Sequence, residues 1–265
     1  MPELPEIETI KLQLLKELPG LKITAVEVLS PKILRGDKNL LIRKKIIGIE
    51  RKAKVLIFDL EDDVSMAFHF KMTGQLILGG QPNPHTRVIF KLNKGTLYFN
   101  DQRLFGWVIV GQKSEIDNLP FLKNLGPEPF EIGKDKFIAI FKKPKKAIKL
   151  AIMDQKLLSG VGNIYANDAL WEAKINPRIP CYKLSESKLG LLFEKTKLVL
   201  KEGIKYGGAT AADAKYIDLH GLGGHYQDHF RVYDREGLPC LRCKTKIEKF
   251  VMGGRGTYWC PECQK

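Results

Sequence analysis

Four cysteines near the C-terminus constrain the fold of this chain more than any other feature. They form two pairs, Cys240-x2-Cys243 and Cys260-x2-Cys263, with 16 residues between the pairs. In a reducing compartment this spacing favours zinc ligation over disulfides. A zinc site in which all four ligands are protein thiolates is closed, and closed sites are structural. We therefore predict one structural Zn²⁺ bound by these four cysteines, with Cys181 left as a partly buried free thiol.

The segment between the two cysteine pairs contains Gly254-Arg255-Gly256. Glycines on both sides of an arginine favour a β-hairpin that presents Arg255 at a tight turn. Arginine is also the preferred side chain for contacts with phosphate. The C-terminal module is therefore predicted to be a zinc-finger hairpin over residues 231–265.

The overall charge is strongly positive. The chain has 44 Lys and Arg against 30 Asp and Glu, a formal charge of +14. This favours a polyanionic partner, although an inert basic surface is the alternative. No apolar run reaches about 18 residues, so no membrane span is predicted. Glu3, Glu6 and Glu8 interrupt any signal-peptide pattern, and we expect an intracellular, cytoplasmic protein.

The sequence changes character twice along its length. Apolar residues at helical spacing predict a first helix over 5–18, and short β-rich runs over 23–110 predict a β-sandwich or barrel. A Gly-Pro-Glu-Pro boundary at 126–129 is followed by helical patterns over 134–141, 145–157, 163–173 and 185–206. The glycine- and alanine-rich stretch 207–224 is interpreted as a mobile loop. The predicted class is a multidomain α+β protein with domains 1–126, 134–225 and 231–265.

A glycine turn at 159–162 precedes Asn163. Such a turn exposes backbone N–H groups, Asn163 can cap the helix that follows, and a helix N-terminus binds phosphate well. Five lysines lie just upstream, and their alternative interpretation is a solvated helix face. Beside a phosphate-binding turn, contact with a DNA backbone is favoured. The five are Lys142, Lys143, Lys145, Lys146 and Lys149.

The segment 101–107 contains Arg103 and Phe105, which point to the same side of an extended chain. An exposed Phe beside an Arg can insert into a base stack, but a core Phe with a surface Arg is the commoner arrangement. Met72 is likewise more often a core residue than a wedge. Lys54, at the start of a strand, and His85, after a proline-rich turn, are uninformative alone.

The N-terminal residues Met1-Pro2-Glu3-Leu4-Pro5-Glu6 allow an unusual nucleophile. Pro2 is small enough for Met1 to be trimmed, which leaves a secondary amine beside the carboxylate of Glu3. An α-amine has a pKa of about 7.7–8.0, so part of it is unprotonated near neutral pH, unlike a lysine. An amine nucleophile, a zinc site and a basic chain together suggest covalent chemistry on nucleic acid.

These motifs, taken in order, resemble the formamidopyrimidine-DNA glycosylase family, which is related to endonuclease VIII. The N-terminal hexapeptide, the turn Gly160-Val-Gly-Asn-Ile-Tyr-Ala166 and the end Gly254-Arg-Gly-Thr-Tyr-Trp-Cys-Pro-Glu-Cys-Gln264 are highly specific in combination. Leu4, where endonuclease VIII types usually carry Gly, points to the formamidopyrimidine branch.

The resemblance implies an N-terminal β-sandwich with a packed helix, a helix-two-turn-helix domain and a zinc finger, with damaged duplex DNA in a cleft. It implies a monomeric base-excision-repair enzyme, a bifunctional DNA glycosylase and AP lyase. Such an enzyme removes oxidised purines through an iminium (Schiff base) on the N-terminal proline.

The resemblance also implies roles for individual residues. Pro2 is the expected nucleophile at C1′ and Glu3 the acid/base. Lys54 is expected to aid β-elimination, and Arg255 to act in δ-elimination and grip phosphate. Glu6 helps to shape the site. Expected DNA contacts come from His85, Arg103, Lys145 and Asn163, and the gap left by the everted base would be filled by Met72, Arg103 and Phe105.

Three points leave alternatives open. The loop Asp213–Asp218 lacks the arginine often found near its start, so a preference for oxidised pyrimidines is the second hypothesis. Pro144 disturbs the alignment of the basic run, so Lys145, Lys146 and Lys149 are all candidates for the phosphate contact. A non-catalytic DNA-binding protein is the third hypothesis, and the intact set of Pro2, Glu3, Lys54 and Arg255 argues against it.

Overall fold

The computed structural model describes residues 1–210 and 216–265. It divides into two compact units. The first comprises Met1–Lys123 and Tyr206–His225, and the second comprises Asn124–Lys205 and Tyr226–Lys265. Within the described residues, no helix is long and apolar enough to cross a membrane.

The first unit begins with helix α1, Leu4–Glu17. Pro5 lies in its first turn, where a missing N–H costs nothing, and Glu3 at the N-cap forms a capping box with Glu6. The buried face carries Leu4, Ile7, Ile10 and Leu14 at helical spacing. The helix predicted over 5–18 is confirmed to within one residue at each end.

Two sheets form the body of the first unit. A four-stranded sheet has the order β1-β7-β8-β6, and a five-stranded sheet has the order β2-β9-β5-β4-β3. The strands are β1 Ile23–Val28, β2 Leu34–Arg35, β3 Ile46–Lys52, β4 Val55–Leu60, β5 Val64–His69, β6 Gly74–Leu78, β7 Thr86–Leu92, β8 Thr96–Asp101 and β9 Trp107–Gln112. All pairings are antiparallel except β2 with β9.

The two sheets pack face to face through aromatic side chains. The ring of Phe68 on β5 lies 5.7 Å from that of Phe90 on β7 and 5.9 Å from that of Phe99 on β8, between centroids. The buried face of α1 belongs to the same core. The predicted β-sandwich with a packed N-terminal helix is confirmed. Two short helices, α2 Lys113–Asp117 and α3 Pro120–Lys123, follow β9.

The segment Tyr206–His225 belongs to the first unit, whereas the sequence interpretation placed it with the helices. Long-range hydrogen bonds explain the difference. The Ala209 N–H donates to Glu6 on α1, and the Leu219 N–H donates to Gln13 on α1. Residues 211–215, part of the loop interpreted as mobile and atypical, lie outside the described residues. The other predicted domain boundaries stay predictions.

The second unit contains four α-helices, which are α4 Lys134–Phe141, α5 Ile148–Ile152, α6 Asn163–Glu172 and α7 Glu186–Lys205. Three of them, α4, α6 and α7, match their predicted spans to within one residue at each end. Helix α5 is shorter than the predicted 145–157. Ala147 before it forms an isolated β-bridge with Pro180, and a turn at Asp154 follows it.

The C-terminal hairpin pairs β10, Glu248–Met252, with β11, Arg255–Trp259. Met252 is paired with Arg255, so Gly253 and Gly254 form a two-residue turn. Both glycines have positive φ, 57° and 72°, which is the conformation that tight hairpins require and other residues rarely adopt. The predicted hairpin is confirmed, and Arg255 directly follows its turn.

Candidate functional site

Pro2 and Glu3 lie at a buried corner where α1 begins. Pro2 is buried and Glu3 is 2% exposed. The Glu3 carboxylate accepts the backbone N–H of Glu6, and the Glu6 Oε2 accepts the backbone N–H of Glu3 at 2.7 Å. This reciprocal capping box fixes the carboxylate of Glu3, the residue that follows Pro2 in the chain.

Glu6 extends this corner to the segment 206–225. Its Oε1 accepts the N–H of Ala209 at 2.8 Å, and its backbone carbonyl accepts the hydroxyl of Tyr216 at 3.4 Å. Burial, with the negative charges of Glu6 and Asp218, raises the pKa of Tyr216 well above its usual value. Tyr216 therefore stays a neutral hydrogen-bond donor. The spacing of Glu3 and Glu6, three residues apart at a helix start, is a sequence signal for the capping box but not for these long-range contacts.

Lys54 lies in the turn between β3 and β4 and is 4% exposed. Ala53 before it has φ of 54°. Arg51 fixes the turn, because its Nε donates to Glu8 on α1 at 2.6 Å and its Nη1 donates to the Ala53 carbonyl at 3.0 Å. The protein thus buries a lysine amine on a rigid turn tied to α1.

His69, paired with Val55 across β4 and β5, is 4% exposed. Burial first, then the positive charges of Lys71 and Lys54, lowers its pKa to about 3. Its Nδ1 accepts the backbone N–H of Lys71 at 3.0 Å, which requires an unprotonated nitrogen there. His69 is therefore a neutral histidine that holds the turn leading to Met72.

The titration of His69 predicts a loss of stability in acid. The pKa is about 3 in the folded protein and about 6.5 in the unfolded chain. Between these values the unfolded state binds the extra proton, so stability falls as pH drops from about 6.5 towards 3, by at most ~1.4 kcal/mol per pH unit. His69→Gln should flatten this slope in denaturant titrations at pH 4–6. His85→Gln, at an exposed position, is the control, and equal slopes for wild type and His69→Gln would contradict the prediction.

Asp101 joins two neighbouring turns. It is fully buried and accepts the hydroxyl of Thr73, the N–H of Gly106 at 2.7 Å and the N–H of Arg103 at 3.2 Å. The Arg103 N–H also reaches the Thr73 hydroxyl at 3.0 Å. The turn containing Met72 and the turn containing Arg103 are consequently held as one piece. The sequence analysis did not single out Asp101. An acidic residue at the end of an apolar strand was the available signal.

The side chains of residues 102–105, at the tip of the turn that contains Arg103, face solvent. Phe105 is 53% exposed, and the Arg103 guanidinium lies 4.8 Å from the centre of its ring. Leu104 between them has φ of 57° and is 43% exposed. Met72 is half-buried, and the expected DNA contact His85 is exposed. The core interpretation of Phe105 is therefore wrong, since an aromatic ring this exposed packs little protein.

In the second unit, Gly162 is the N-cap of α6 and Asn163 is its first residue. The prediction that Asn163 caps the helix is therefore wrong by one residue. Gln155 fixes the turn, because its Oε1 accepts the Gly160 N–H at 2.9 Å and its Nε2 donates to the Val161 carbonyl at 2.7 Å. Asn163 is half-buried at the start of the helix.

The three candidate lysines for phosphate contact have different environments. Lys145 is exposed, and Lys146 forms an ion pair with Asp154. Lys149 is fully buried, and its Nζ donates to the Gly256 carbonyl and the Thr257 hydroxyl, both at 2.8 Å. Lys149 as a direct phosphate contact is wrong, because its amine is enclosed and bound to β11. It lies on the buried face of α5.

The four predicted zinc ligands converge in the second unit. All four Sγ atoms lie within 4.8 Å of one another. The Sγ separations are 3.4 Å for Cys243 with Cys260 and 3.9 Å for Cys240 with Cys263. Tetrahedral ligation with Zn–S bonds of about 2.3 Å needs separations of about 3.8 Å. The residues therefore fit a structural zinc ion, with no position left open for chemistry.

Backbone and side-chain donors support the thiolates of this site. The Trp171 indole N–H points at the Cys240 Sγ at 3.4 Å, and the Arg242 backbone N–H does so at 3.5 Å. Such outer hydrogen bonds orient metal ligands and stabilise their charge. Cys181 is fully buried rather than partly buried, and burial raises the pKa of its thiol to about 11.

Removal of one zinc ligand should unfold the hairpin. A structural zinc site contributes about 10–16 kcal/mol of binding free energy to a small domain, which has little core without the metal. We expect Cys260→Ser to lose stoichiometric zinc, measured by a chromogenic chelator, and the protection of β10 and β11 from hydrogen exchange. Cys181→Ala, which lies outside the ligand cluster, should keep both. A zinc-free Cys260→Ser protein with a protected hairpin would refute the structural role.

Three family models match successive parts of this chain. The family model of the formamidopyrimidine-DNA glycosylase N-terminal domain matches residues 1–108, the H2TH domain of the same enzyme matches residues 125–215, and a zinc finger found in FPG and IleRS matches residues 237–265. The last match agrees with the cysteine cluster and confirms the predicted zinc finger.

Two curated relatives are similar over their full length. The formamidopyrimidine-DNA glycosylase of Pelotomaculum thermopropionicum is 42% identical over 276 residues, covering 100% of this chain and 99% of the relative. That of Thermus thermophilus is 38% identical over 266 residues, covering 100% of this chain and 98% of the relative.

Solved structures agree in fold. The MutM (Fpg) protein of Thermus thermophilus superposes with a TM-score of 0.92 at 37% identity, over 99% of this chain and 98% of that one. Lactococcus lactis Fpg in complex with DNA containing an abasic site gives 0.91 at 34% identity, over 99% of both chains. A Lactococcus lactis Fpg mutant with DNA containing Fapy-dG gives 0.92 at 33% identity, over 100% of both.

Proposed function

Because the chain belongs to the formamidopyrimidine-DNA glycosylase family, we propose that it removes oxidised purines from duplex DNA and cleaves the strand at the resulting site. The substrates are 8-oxoguanine and formamidopyrimidines, and the strand is cut by β,δ-elimination during base excision repair. The observation that carries the proposal is the buried corner of Pro2 and Glu3, where the residue exposed as N-terminus by removal of Met1 directly precedes a glutamate whose carboxylate is fixed. The Lactococcus lactis relative binds DNA containing Fapy-dG or an abasic site.

The reaction starts with the Pro2 amine, which becomes available when Met1 is removed. Its lone pair forms a bond to C1′ of the flipped nucleotide, and the C1′ bond to the base breaks. Glu3 acts as the acid and base that donates and accepts protons while the base departs and the sugar ring opens. A secondary amine gives an iminium that keeps its positive charge without a proton. Covalent catalysis of this kind divides one difficult step into easier ones.

Strand cleavage follows from the iminium. It draws electrons from C1′, so the hydrogen on C2′ becomes acidic and is removed, and the 3′ phosphate leaves in β-elimination. A second elimination then expels the 5′ phosphate. Lys54 assists the first elimination and contacts phosphate, and Arg255 acts in the second and grips the phosphate next to the lesion. Arginine suits this task because its planar fork matches phosphate oxygens.

The remaining residues hold the DNA. A base must leave the stack before it can react, which costs a few kcal/mol. Insertion of Met72, Arg103 and Phe105 into the gap offsets that cost. The exposure of Phe105 and its contact with Arg103 support this role. Contacts with the DNA backbone are assigned to His85, Lys145 and Asn163.

Borohydride trapping tests the proposal directly. The protein without Met1 is incubated with a duplex containing 8-oxoguanine opposite cytosine, and borohydride is added. Reduction of the iminium should give a covalent protein–DNA adduct that maps to Pro2. An adduct with an abasic duplex but none with the 8-oxoguanine duplex would support the lyase chemistry and refute 8-oxoguanine as the excised base. Binding without any adduct would favour a non-catalytic DNA-binding protein.

Oxidised pyrimidines are a second candidate class of substrate. Lactococcus lactis Fpg, 34% identical to this chain, has been solved with DNA containing an oxidised pyrimidine. Single-turnover excision from matched duplexes, one with 8-oxoguanine and one with an oxidised pyrimidine, separates the two candidates. Faster excision of the purine supports the proposed function, and faster excision of the pyrimidine supports the second.

A further inference from the structure

The strand that carries Arg255 has one edge without a neighbouring strand. Among the described residues β11 pairs with β10 alone. The backbone N–H of Tyr258, three residues after Arg255, is buried and donates to the side-chain Oδ1 of Asn167 at 2.9 Å. Asn167 lies on α6 and is 1% exposed. A buried backbone donor needs a partner, and here a side chain from another element supplies it.

The other end of the same amide reaches the start of α6. The Asn167 Nδ2 donates to the Asn163 backbone carbonyl at 2.7 Å and lies 3.4 Å from the Asn163 Oδ1. A carboxamide is the side-chain group that accepts through one atom and donates through the other. One buried side chain therefore joins the glycine turn before α6 to the hairpin of Arg255.

The contact also has a consequence for Asn163. A phosphate oxygen accepts hydrogen bonds, so Asn163 must present its NH₂ group to DNA. Because its Oδ1 faces the Nδ2 of Asn167, the NH₂ group lies on the other side of the Asn163 amide. Asn167 thus favours the amide orientation that phosphate binding requires.

The hairpin does not depend on Asn167 to stay folded. Lys149 separately holds the Gly256 carbonyl and the Thr257 hydroxyl, and the four cysteines close the other end of the module. Loss of the Asn167 contact should therefore displace β11 slightly instead of unfolding it. Small displacements of a group that contacts a reacting phosphate have large effects on rate.

From these contacts we infer that Asn167 is a positioning residue. It couples the Asn163 turn to the Arg255 hairpin, so that both phosphate contacts meet the DNA backbone as one rigid unit. This inference rests on the proposed function, in which Arg255 acts in δ-elimination. It predicts that Asn167 variants affect the second elimination more than the first.

Two variants separate the two ends of the amide. Asn167→Leu removes both hydrogen bonds at nearly constant volume. Asn167→Asp keeps an acceptor for Tyr258 but loses the donor to Asn163. Asn176→Asp is the matched control, because the Asn176 Oδ1 accepts a backbone N–H from Arg178 in the same unit and an aspartate can do the same. Zinc content is measured for each protein.

The first readout is the ratio of δ- to β-elimination products from an abasic duplex in a single turnover. Both products come from the same bound enzyme, so the ratio does not depend on the fraction of folded protein. We expect Asn167→Leu to lower the ratio about tenfold, the effect of losing the buried hydrogen bond that joins Asn167 to Tyr258 on β11. Asn167→Asp should give a smaller decrease, and Asn176→Asp should keep the wild-type ratio.

The second readout needs no catalysis. Hydrogen exchange of residues 255–259 in the DNA-free protein should be faster in Asn167→Leu and unchanged in Asn167→Asp. A wild-type ratio with wild-type exchange in Asn167→Leu would overturn the inference, and so would loss of zinc with equal loss of both products. If the wild type itself gives no trapped adduct, the proposed function fails. The coupling of the Asn163 turn to the Arg255 hairpin is then tested by hydrogen exchange alone, and unchanged exchange of residues 255–259 in Asn167→Leu would overturn it.

Discussion

A protein that carries a short N-terminal extension should form no borohydride-trapped adduct with damaged DNA. In such a protein the nitrogen of Pro2 is an amide, whose lone pair is delocalised into the carbonyl and cannot attack C1′. We expect the yield of adduct and the rate of strand cleavage at an abasic site to fall by about 10³-fold or more, as for other nucleophiles that act as part of a unit. Removal of the extension by a protease that leaves Pro2 first should restore both.

The control for this experiment is the same extension placed at the C-terminus, after Lys265. It should leave trapping unchanged. Binding to a duplex with a stable abasic analogue distinguishes lost chemistry from lost affinity, because Pro2 is buried and an extension there has to pass the α1 corner. An extended protein that binds the analogue and still traps through another amine, such as that of Lys54, would contradict the assignment of Pro2 as the nucleophile.

Local signals in the sequence predicted several parts of the molecule well. Helix α1 follows from apolar residues at helical spacing, with Pro5 and the capping pair at its start, because all of these act within a few residues. The zinc ligands follow from paired cysteines, since two short spacings already define four ligands. The hairpin turn at Gly253 and Gly254 follows from the positive φ that glycine adopts without strain.

The features that the sequence failed to predict depend on contacts between distant residues. Lys149 belongs to a basic run, but its place on the buried face of α5 aims its amine at Gly256 and Thr257, more than a hundred residues later. The segment 206–225 belongs with the β-sandwich through hydrogen bonds to Glu6 and Gln13. No local sequence pattern predicts such long-range hydrogen bonds, because they depend on the tertiary packing.

The solvent exposure of a side chain is a second property that residue spacing in the sequence does not determine. Phe105 reads as a core residue by the habits of phenylalanine, yet its ring is 53% exposed. The reason lies in the turn that holds it. Asp101 fixes the backbone on both sides of Leu104 through Arg103 and Gly106, and this directs the tip of the turn to solvent. A buried acid that satisfies three donors is thus what makes an exposed aromatic ring possible here.

Glu3→Gln tests acid–base catalysis separately from the structure of the N-terminal corner. Glutamine can still accept the Glu6 N–H through its Oε1, so the capping box and the start of α1 should remain. The proton chemistry is lost, because an amide neither gives nor takes a proton near neutral pH. We expect excision of 8-oxoguanine in single turnovers to fall by about 10²–10⁴-fold, the usual contribution of a positioned acid or base.

The size of the effect should depend on the substrate. Cleavage at a preformed abasic site needs no departure of a base, and its hemiacetal sugar opens reversibly to an aldehyde in solution, so Glu3→Gln should slow it much less than it slows excision. Glu17→Gln is the matched control, because Glu17 lies at the opposite end of the same helix and faces His220 instead of the N-terminal corner. Equal losses on both substrates would indicate a damaged corner, and excision at the wild-type rate would show that another group moves the proton.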